Sequence, residues 1–284
     1  MDKKRTIVQM VFSVVTNSYL KGFMTGTIYA GASKNACVPG LSCYSCPGAF
    51  CACPIGAYQA VAGSRNFSVS LYVAGFLILV GGACGRFVCG WLCPFGLYQD
   101  LINRIPFKYE FKRIKGDRYL KLAKYLILVV FVMILPAAIA GPGGQGDPWF
   151  CKYVCPSGTL MAGMPFAALN AGVRSALGTL FLWKAALLAA LTLLSITVYR
   201  PFCRYICPLG AVYGLFNKVS AYRYSFDEKI CVGCGECSKA CRLSIAANGD
   251  VNSADCIRCG RCLKVCRTGA LRAGALCFGN KEKE

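Results

Sequence analysis

Apolar residues fall along this chain in four long blocks, separated by polar connections rich in cysteine. Residues 66–85 carry no charge, residues 122–141 carry a single Lys at their start, and residues 177–199 carry only Lys184. The first block, residues 6–30, is interrupted by Asn17 and Lys21 but follows a basic MDKKR start. A helix of about 20 residues crosses a bilayer core of about 30 Å. The pattern therefore predicts four transmembrane helices, at 6–30, 66–85, 122–141 and 177–199. A leader cleaved near Ala30-Gly31-Ala32 is the alternative reading of the first block.

The connections alternate in charge. The start of the chain, residues 85–124 and everything from Arg200 onward together hold 26 of the 32 Lys and Arg residues. Positive loops stay on the cytoplasmic side of a membrane. This predicts a multi-pass protein of the cytoplasmic membrane with both termini inside and loops 31–65 and 142–174 outside. The net charge of +20 comes from these alternating loops rather than from a nucleic-acid-binding face. No Asp or Glu falls inside a predicted span, which argues against an intramembrane carboxylate proton relay.

Composition narrows the chemistry. The 284 residues are 56% hydrophobic and 15% charged, outside the usual range for a soluble domain. There are 21 Cys and no His. Bis-His haem, Rieske centres and His-ligated zinc or copper are thereby excluded. Sulfur must supply the chemistry.

Eight of these cysteines form two runs in the tail. Cys231, Cys234, Cys237 and Cys241 repeat the spacing of Cys256, Cys259, Cys262 and Cys266, each as C-x2-C-x2-C-x3-C. In such tandem runs three Cys bind one [4Fe–4S] cluster and the fourth binds the other. The spacing predicts one cluster on Cys231, Cys234, Cys237 and Cys266, and a second on Cys256, Cys259, Cys262 and Cys241. Structural zinc is the alternative for paired C-x2-C motifs. Arg242 and Arg267 stand where a Pro usually follows the fourth Cys.

Cysteine also recurs at the predicted membrane edges. Cys46, Cys53, Cys93, Cys155 and Cys207 each precede a Pro, and Cys89, Cys151 and Cys203 lie four residues before three of them. Pro is favoured at the first position of a helix, so the preceding Cys becomes the N-cap, where the helix dipole favours a thiolate. Cys89, Cys93, Cys203 and Cys207 fall on the inner side and suffice for a third cluster. Cys151 and Cys155 fall on the outer side, with Cys46 and Cys53 as preferred partners, Cys43 as the alternative, and Cys37 and Cys51 as non-ligands. Disulfides compete for these outer cysteines, since an oxidising exterior permits them. Cys84 and Cys277 read as free thiols, and Arg86 as a cation beside the inner site or at the lipid headgroups.

The run CGRFVCGWLCPFG at 84–96, the run FCRYICPLG at 202–210 and the two-cluster tail together resemble the NapH-type membrane iron–sulfur proteins and their NosR and CcoG relatives. The run CYSCPGAFCACPIGAYQ at 43–59 is similar to members known as 4Fe–4S binding proteins or polyferredoxins. The resemblance implies four spans, cytoplasmic tail clusters, and electron transfer between a cytoplasmic donor or the quinone pool and an extracytoplasmic acceptor. The FMN-binding domain of NosR and the immunoglobulin-like region of CcoG have no counterpart in this sequence, so those functions are not carried over.

The expected protein is thus a mostly α integral membrane protein with four transmembrane helices and Cys-Pro helix starts (1–221), plus a small α+β two-cluster ferredoxin domain at the C-terminus (222–284). It would relay electrons through two to four [4Fe–4S] clusters without haem. Its partners would be the lipid bilayer, a ferredoxin- or flavodoxin-like donor or the quinone pool, and an extracytoplasmic redox protein. The remaining alternatives are a redox-sensing regulatory membrane protein, a quinol dehydrogenase subunit of a larger reductase, and a metal-handling protein.

Overall fold

The computed structural model describes residues 3–64, 71–107, 116–139, 146–175, 177–246 and 249–275. Within them the chain is mostly helical, with a single two-stranded sheet among the described residues. The helices that position the sites are α1 (Lys3–Asn17), α2 (Pro54–Ala62), α3 (Leu71–Cys84), α4 (Pro94–Ile102), α5 (Asp117–Ala138), α6 (Thr179–Thr197) and α7 (Pro208–Leu215).

Among the described residues two helices, α5 and α6, are long and apolar enough to cross a membrane, and α3 is shorter. Residues 66–70 of the second predicted span and 140–141 of the third lie outside the described residues.

The predicted 6–30 helix is corrected. It stops at Asn17 and resumes only as the short turn Lys21–Thr25. The physical cause is local polarity. Thr16 Oγ1 and Asn17 Nδ2 donate back to the carbonyls of Phe12 (2.8 Å) and Ser13 (3.0 Å). The Thr16 carbonyl then accepts from Phe50 N at 3.0 Å, and Ser42 Oγ donates to Asn17 Oδ1 at 2.9 Å. The helix end is satisfied by the cysteine loop instead of by a further turn.

The helices are inverted relative to a soluble protein. In α1, Arg5, Thr6, Gln9 and Thr16 are buried while Val11, Val14 and Val15 are exposed. Leu71 and Leu79 in α3, Leu122 and Leu126 in α5, and Leu182 and Leu193 in α6 are likewise exposed. The buried centre holds cysteines, aromatics and guanidinium groups alongside aliphatic side chains such as Val73, Leu77, Leu188 and Leu191.

The tail folds around β1 (Tyr222–Phe226), paired antiparallel with β2 (Leu271–Ala275), with Tyr222 opposite Ala275 and Phe226 opposite Leu271. Two one-turn helices, α8 (Glu236–Ala240) and α9 (Arg261–Val265), pack together between the strands in sequence. The tail docks on the helical part through buried and part-buried bonds. Arg258 donates to the carbonyls of Cys84 (2.9 Å) and Asn217 (2.6 Å) and to Ser220 Oγ (2.7 Å). Asn217 Nδ2 donates to the carbonyls of Ser253 and Cys256, both at 2.8 Å.

Candidate metal centres

Cys53, Cys93 and Cys207 each form the N-cap of a helix whose first residue is Pro. Cys93 Sγ accepts from Gly96 N and Cys207 Sγ from Gly210 N, both at 3.4 Å. The Cys-Pro pair thus aims a sulfur back along the open N–H groups of a helix start.

The four cysteines that the sequence assigned to the inner side, Cys89, Cys93, Cys203 and Cys207, are all buried and lie within electrostatic reach of one another. Two buried arginines cross-brace them. Arg200 Nη1 donates to the Cys89 carbonyl at 2.6 Å, and Arg86 Nη2 donates to the Cys203 carbonyl at 2.8 Å. Each Arg stands three residues before one Cys and grips the other. Arg86 is only 1% exposed, which sets aside a headgroup position for it. Asp100 pairs with Arg200 and with Arg5: it accepts from Arg200 Nε (2.8 Å) and Nη2 (2.5 Å) and from Arg5 Nη2 (2.6 Å), while Arg86 lies 3.5 Å from Asp255.

Of the cysteines that the sequence assigned to the outer side, Cys43, Cys53, Cys151 and Cys155 line one cavity of about 390 Å³. Cys46 is not in that lining; it is buried and faces the Met161 carbonyl at 3.4 Å. The structure brings Cys43, the alternative partner, to Cys151 and Cys155. Cys37 and Cys51 lie away from the cavity and close to each other. Here Lys184 plays the part of the arginines, and Lys34 lies within electrostatic reach of Cys43. Lys184 Nζ donates to the Cys151 carbonyl (3.0 Å) and Lys34 Nζ to the Ala49 carbonyl (2.8 Å).

Burial, together with neighbouring thiols, pushes Cys53 up to about 12 and Cys155 and Cys203 up to about 11. Such thiols stay protonated at neutral pH unless a cationic metal centre draws them into thiolate form. Each of these two quartets is an all-sulfur donor set flanked by cations, suited to a group carrying net negative charge.

In the tail, Cys231, Cys234, Cys237 and Cys266 line a second cavity, of about 360 Å³. Cys241 lies within electrostatic reach of Cys256 and Cys262, and Cys259 neighbours the latter two. Gly233, in the first run, is left-handed (φ 69°); its counterpart in the second run is Arg258, held at φ 51°. A side chain there is strained, and the three docking bonds of Arg258 offset that strain. Cys277 lies outside the described residues. Among the described residues no three ligand-type side chains converge on a single metal ion; the Cys43, Cys53, Cys151 and Cys155 set and the Cys231, Cys234, Cys237 and Cys266 set instead ring larger spaces.

Two residues escaped the sequence reading. Gln59 Nε2 donates to Cys151 Sγ at 3.3 Å, and Gln99 Nε2 donates to Cys203 Sγ at 3.0 Å. The signal was present as a repeat: CPIGAYQ at 53–59 and CPFGLYQ at 93–99, followed later by FCKYVCP and FCRYICP.

A family model described as a 4Fe–4S binding domain matches residues 66–112, 125–165 and 179–225, and a second of the same description matches 250–272. These matches define a ferredoxin-type 4Fe–4S binding protein. An uncharacterized protein of Methanocaldococcus jannaschii is 28% identical over 72% of this chain and 71% of its own length. The methylamine utilization ferredoxin-type protein MauN of Paracoccus denitrificans is 31% identical over 61% of this chain. The regulatory protein NosR of Pseudomonas aeruginosa is 25% identical over 55% of it. The chain spans 52% of that MauN and 19% of that NosR. No solved structure matches. With these relatives and these domains, the chain is a 4Fe–4S binding protein similar to ferredoxin-type electron-transport proteins and to NosR.

Proposed function

We propose that this chain is a transmembrane electron relay with four [4Fe–4S] sites, ordered by its own contacts. When bound, such clusters supply one-electron transfer. The observation that carries the reading is the docking of the second tail run onto the inner-edge quartet. Trp91 Nε1 donates to the Arg258 carbonyl at 3.1 Å, Arg86 Nη1 donates to the Ala254 carbonyl at 2.8 Å, and the Ile257 carbonyl packs on Gly90, next to Cys89. Cys231, Cys234, Cys237 and Cys266 then form the distal site, where Cys234 is exposed to an incoming partner. Cys256, Cys259, Cys262 and Cys241 follow. Next come Cys89, Cys93, Cys203 and Cys207, and last Cys43, Cys53, Cys151 and Cys155.

The exposed apolar faces of α1, α3, α5 and α6 support burial of these helices in lipid, with the basic tail on the cytoplasmic side. Charge compensation by Arg86 and Arg200 inside and by Lys34 and Lys184 outside supports an anionic group in each edge site. The donor class is a low-potential ferredoxin- or flavodoxin-like protein or the quinone pool, and the acceptor is an outer-face redox protein. The name of the NosR relative favours one second reading, a membrane redox sensor.

The test is iron and acid-labile sulfide per chain in anaerobically purified, detergent-solubilised protein. Four clusters require about 16 of each. About 12, with the outer cysteines recovered as disulfides, overturns the relay. Reduction of an acceptor sealed inside proteoliposomes by an external low-potential donor then separates relay from sensor.

A further inference from the structure

We propose that Gln59 and Gln99 are matched hydrogen-bond donors to ligand sulfurs that raise the reduction potentials of the outer- and inner-edge clusters; this rests on the four-site reading above. Both side chains are buried, 0% and 1% exposed, so water cannot satisfy them. A buried amide is costly unless every donor and acceptor is used.

Here each is used in the same way at both sites. Gln59 Oε1 accepts from Phe150 N at 3.0 Å, and Gln99 Oε1 accepts from Phe202 N at 3.1 Å. Each Phe immediately precedes the cysteine whose sulfur the same amide meets. Each Nε2 also donates to the carbonyl four residues back, Ile55 (3.3 Å) or Phe95 (3.4 Å). A backbone N–H can only donate, so the amide oxygen must face it. The amide nitrogen is thereby forced toward Cys151 or Cys203 Sγ.

The pinned geometry has an electrostatic consequence. An N–H aimed at a ligand sulfur strengthens as negative charge accumulates there. Reduction adds one electron, so the donor stabilises the reduced form more than the oxidised one and raises the potential. A space-filling role alone would call for an apolar side chain of similar length, and methionine is the natural replacement.

The experiment uses the full chain purified anaerobically, with Gln59→Met, Gln99→Met and Gln99→Glu. Iron content, EPR-monitored redox titration and pulsed EPR after exchange into deuterated water are measured together. The Met variants are expected to keep about 16 iron per chain. The matching cluster should lose an exchangeable deuteron coupling and become harder to reduce by about tenfold, which is about 59 mV for one electron. Unshifted potentials with full iron overturn the proposal. If Gln99→Met loses iron, Gln99→Glu, which retains the oxygen for Phe202 N, is titrated in its place. If both lose iron, absence of the deuteron coupling in the parent protein overturns the proposal. A parent iron count near 8 or 12 sinks the four-site reading itself, whereas about 16 with unshifted potentials sinks only this inference.

Discussion

Asp100→Asn tests whether the buried charge network holds the inner-edge site together. The Asp100 and Arg200 side chains are 0% exposed and Arg5 is 1% exposed, so this is a fully desolvated triad. Three charge-assisted bonds converge on one carboxylate. Asparagine keeps one acceptor oxygen and turns N–H groups toward guanidinium groups that cannot deprotonate. Removing one partner of a buried ion pair costs about 3–5 kcal/mol, because the remaining charge is left uncompensated. At roughly 2 °C per kcal/mol for chains of this size, the melting temperature should fall by about 6–10 °C. The control is Glu236→Gln, whose pair with Lys239 is exposed and worth less than about 1 kcal/mol. Acid gives a second check. Burial alone would raise the Asp100 pKa, but Arg200 and Arg5 hold it below the usual carboxylate range. A group depressed in the folded state stabilises at pH above its ordinary value of about 3.9 and loses that contribution as the pH falls through its folded value. The Asp100→Asn protein should therefore lack this part of the acid sensitivity. A variant melting within about 2 °C of the parent would refute the network's role.

Cys43→Ser should lower iron from about 16 to about 12 per chain, whereas Cys46→Ser should leave it unchanged; the reverse result would restore Cys46 as the ligand. Gly90→Ala places a methyl group against the Ile257 carbonyl. It should weaken docking of the tail by about 1–3 kcal/mol, seen as faster protease release of residues beyond 221 with tail iron intact. Arg258→Gly should retain the tail clusters, since Gly233 occupies the same place in the first run, yet lose the docking bonds; intact docking by hydrogen exchange would contradict the anchor.

Chemistry of short sequence range is legible in the residue order alone. The C-x2-C-x2-C-x3-C runs are legible from spacing, and within each run a few loop residues and a one-turn helix carry the cysteines. Three of the five Cys-Pro pairs, at Cys53, Cys93 and Cys207, likewise announce helix starts, since proline constrains its own φ and gives up only an N–H that a first turn leaves unpaired, whereas Cys46-Pro47 lies in a turn and Cys155 caps the end of the preceding helical turn. The apolar blocks marked α3, α5 and α6, and they mismarked residues 6–30. Hydropathy sums over a window, whereas Thr16 and Asn17 end α1 through bonds to residues 42–50 that no window contains.

Tertiary structure decided the rest. Which of Cys43 and Cys46 meets Cys151 and Cys155 depends on how an irregular loop folds against two distant helices. The crossing of Arg86 and Arg200 to each other's cysteine, and the aim of Gln59 and Gln99 at sulfur, join residues 92 to 117 positions apart. Their sequence signal was a repeat without a stated purpose. The seating of the second tail run beside Cys89 came from Arg258, Asn217 and Gly90, three residues with no ligand chemistry of their own. By itself the sequence determined that sulfur gathers iron here and that helices carry it. Only the packing decided which sulfurs share a site and which sites adjoin, because those facts are set by burial and hydrogen bonding between segments far apart in the chain.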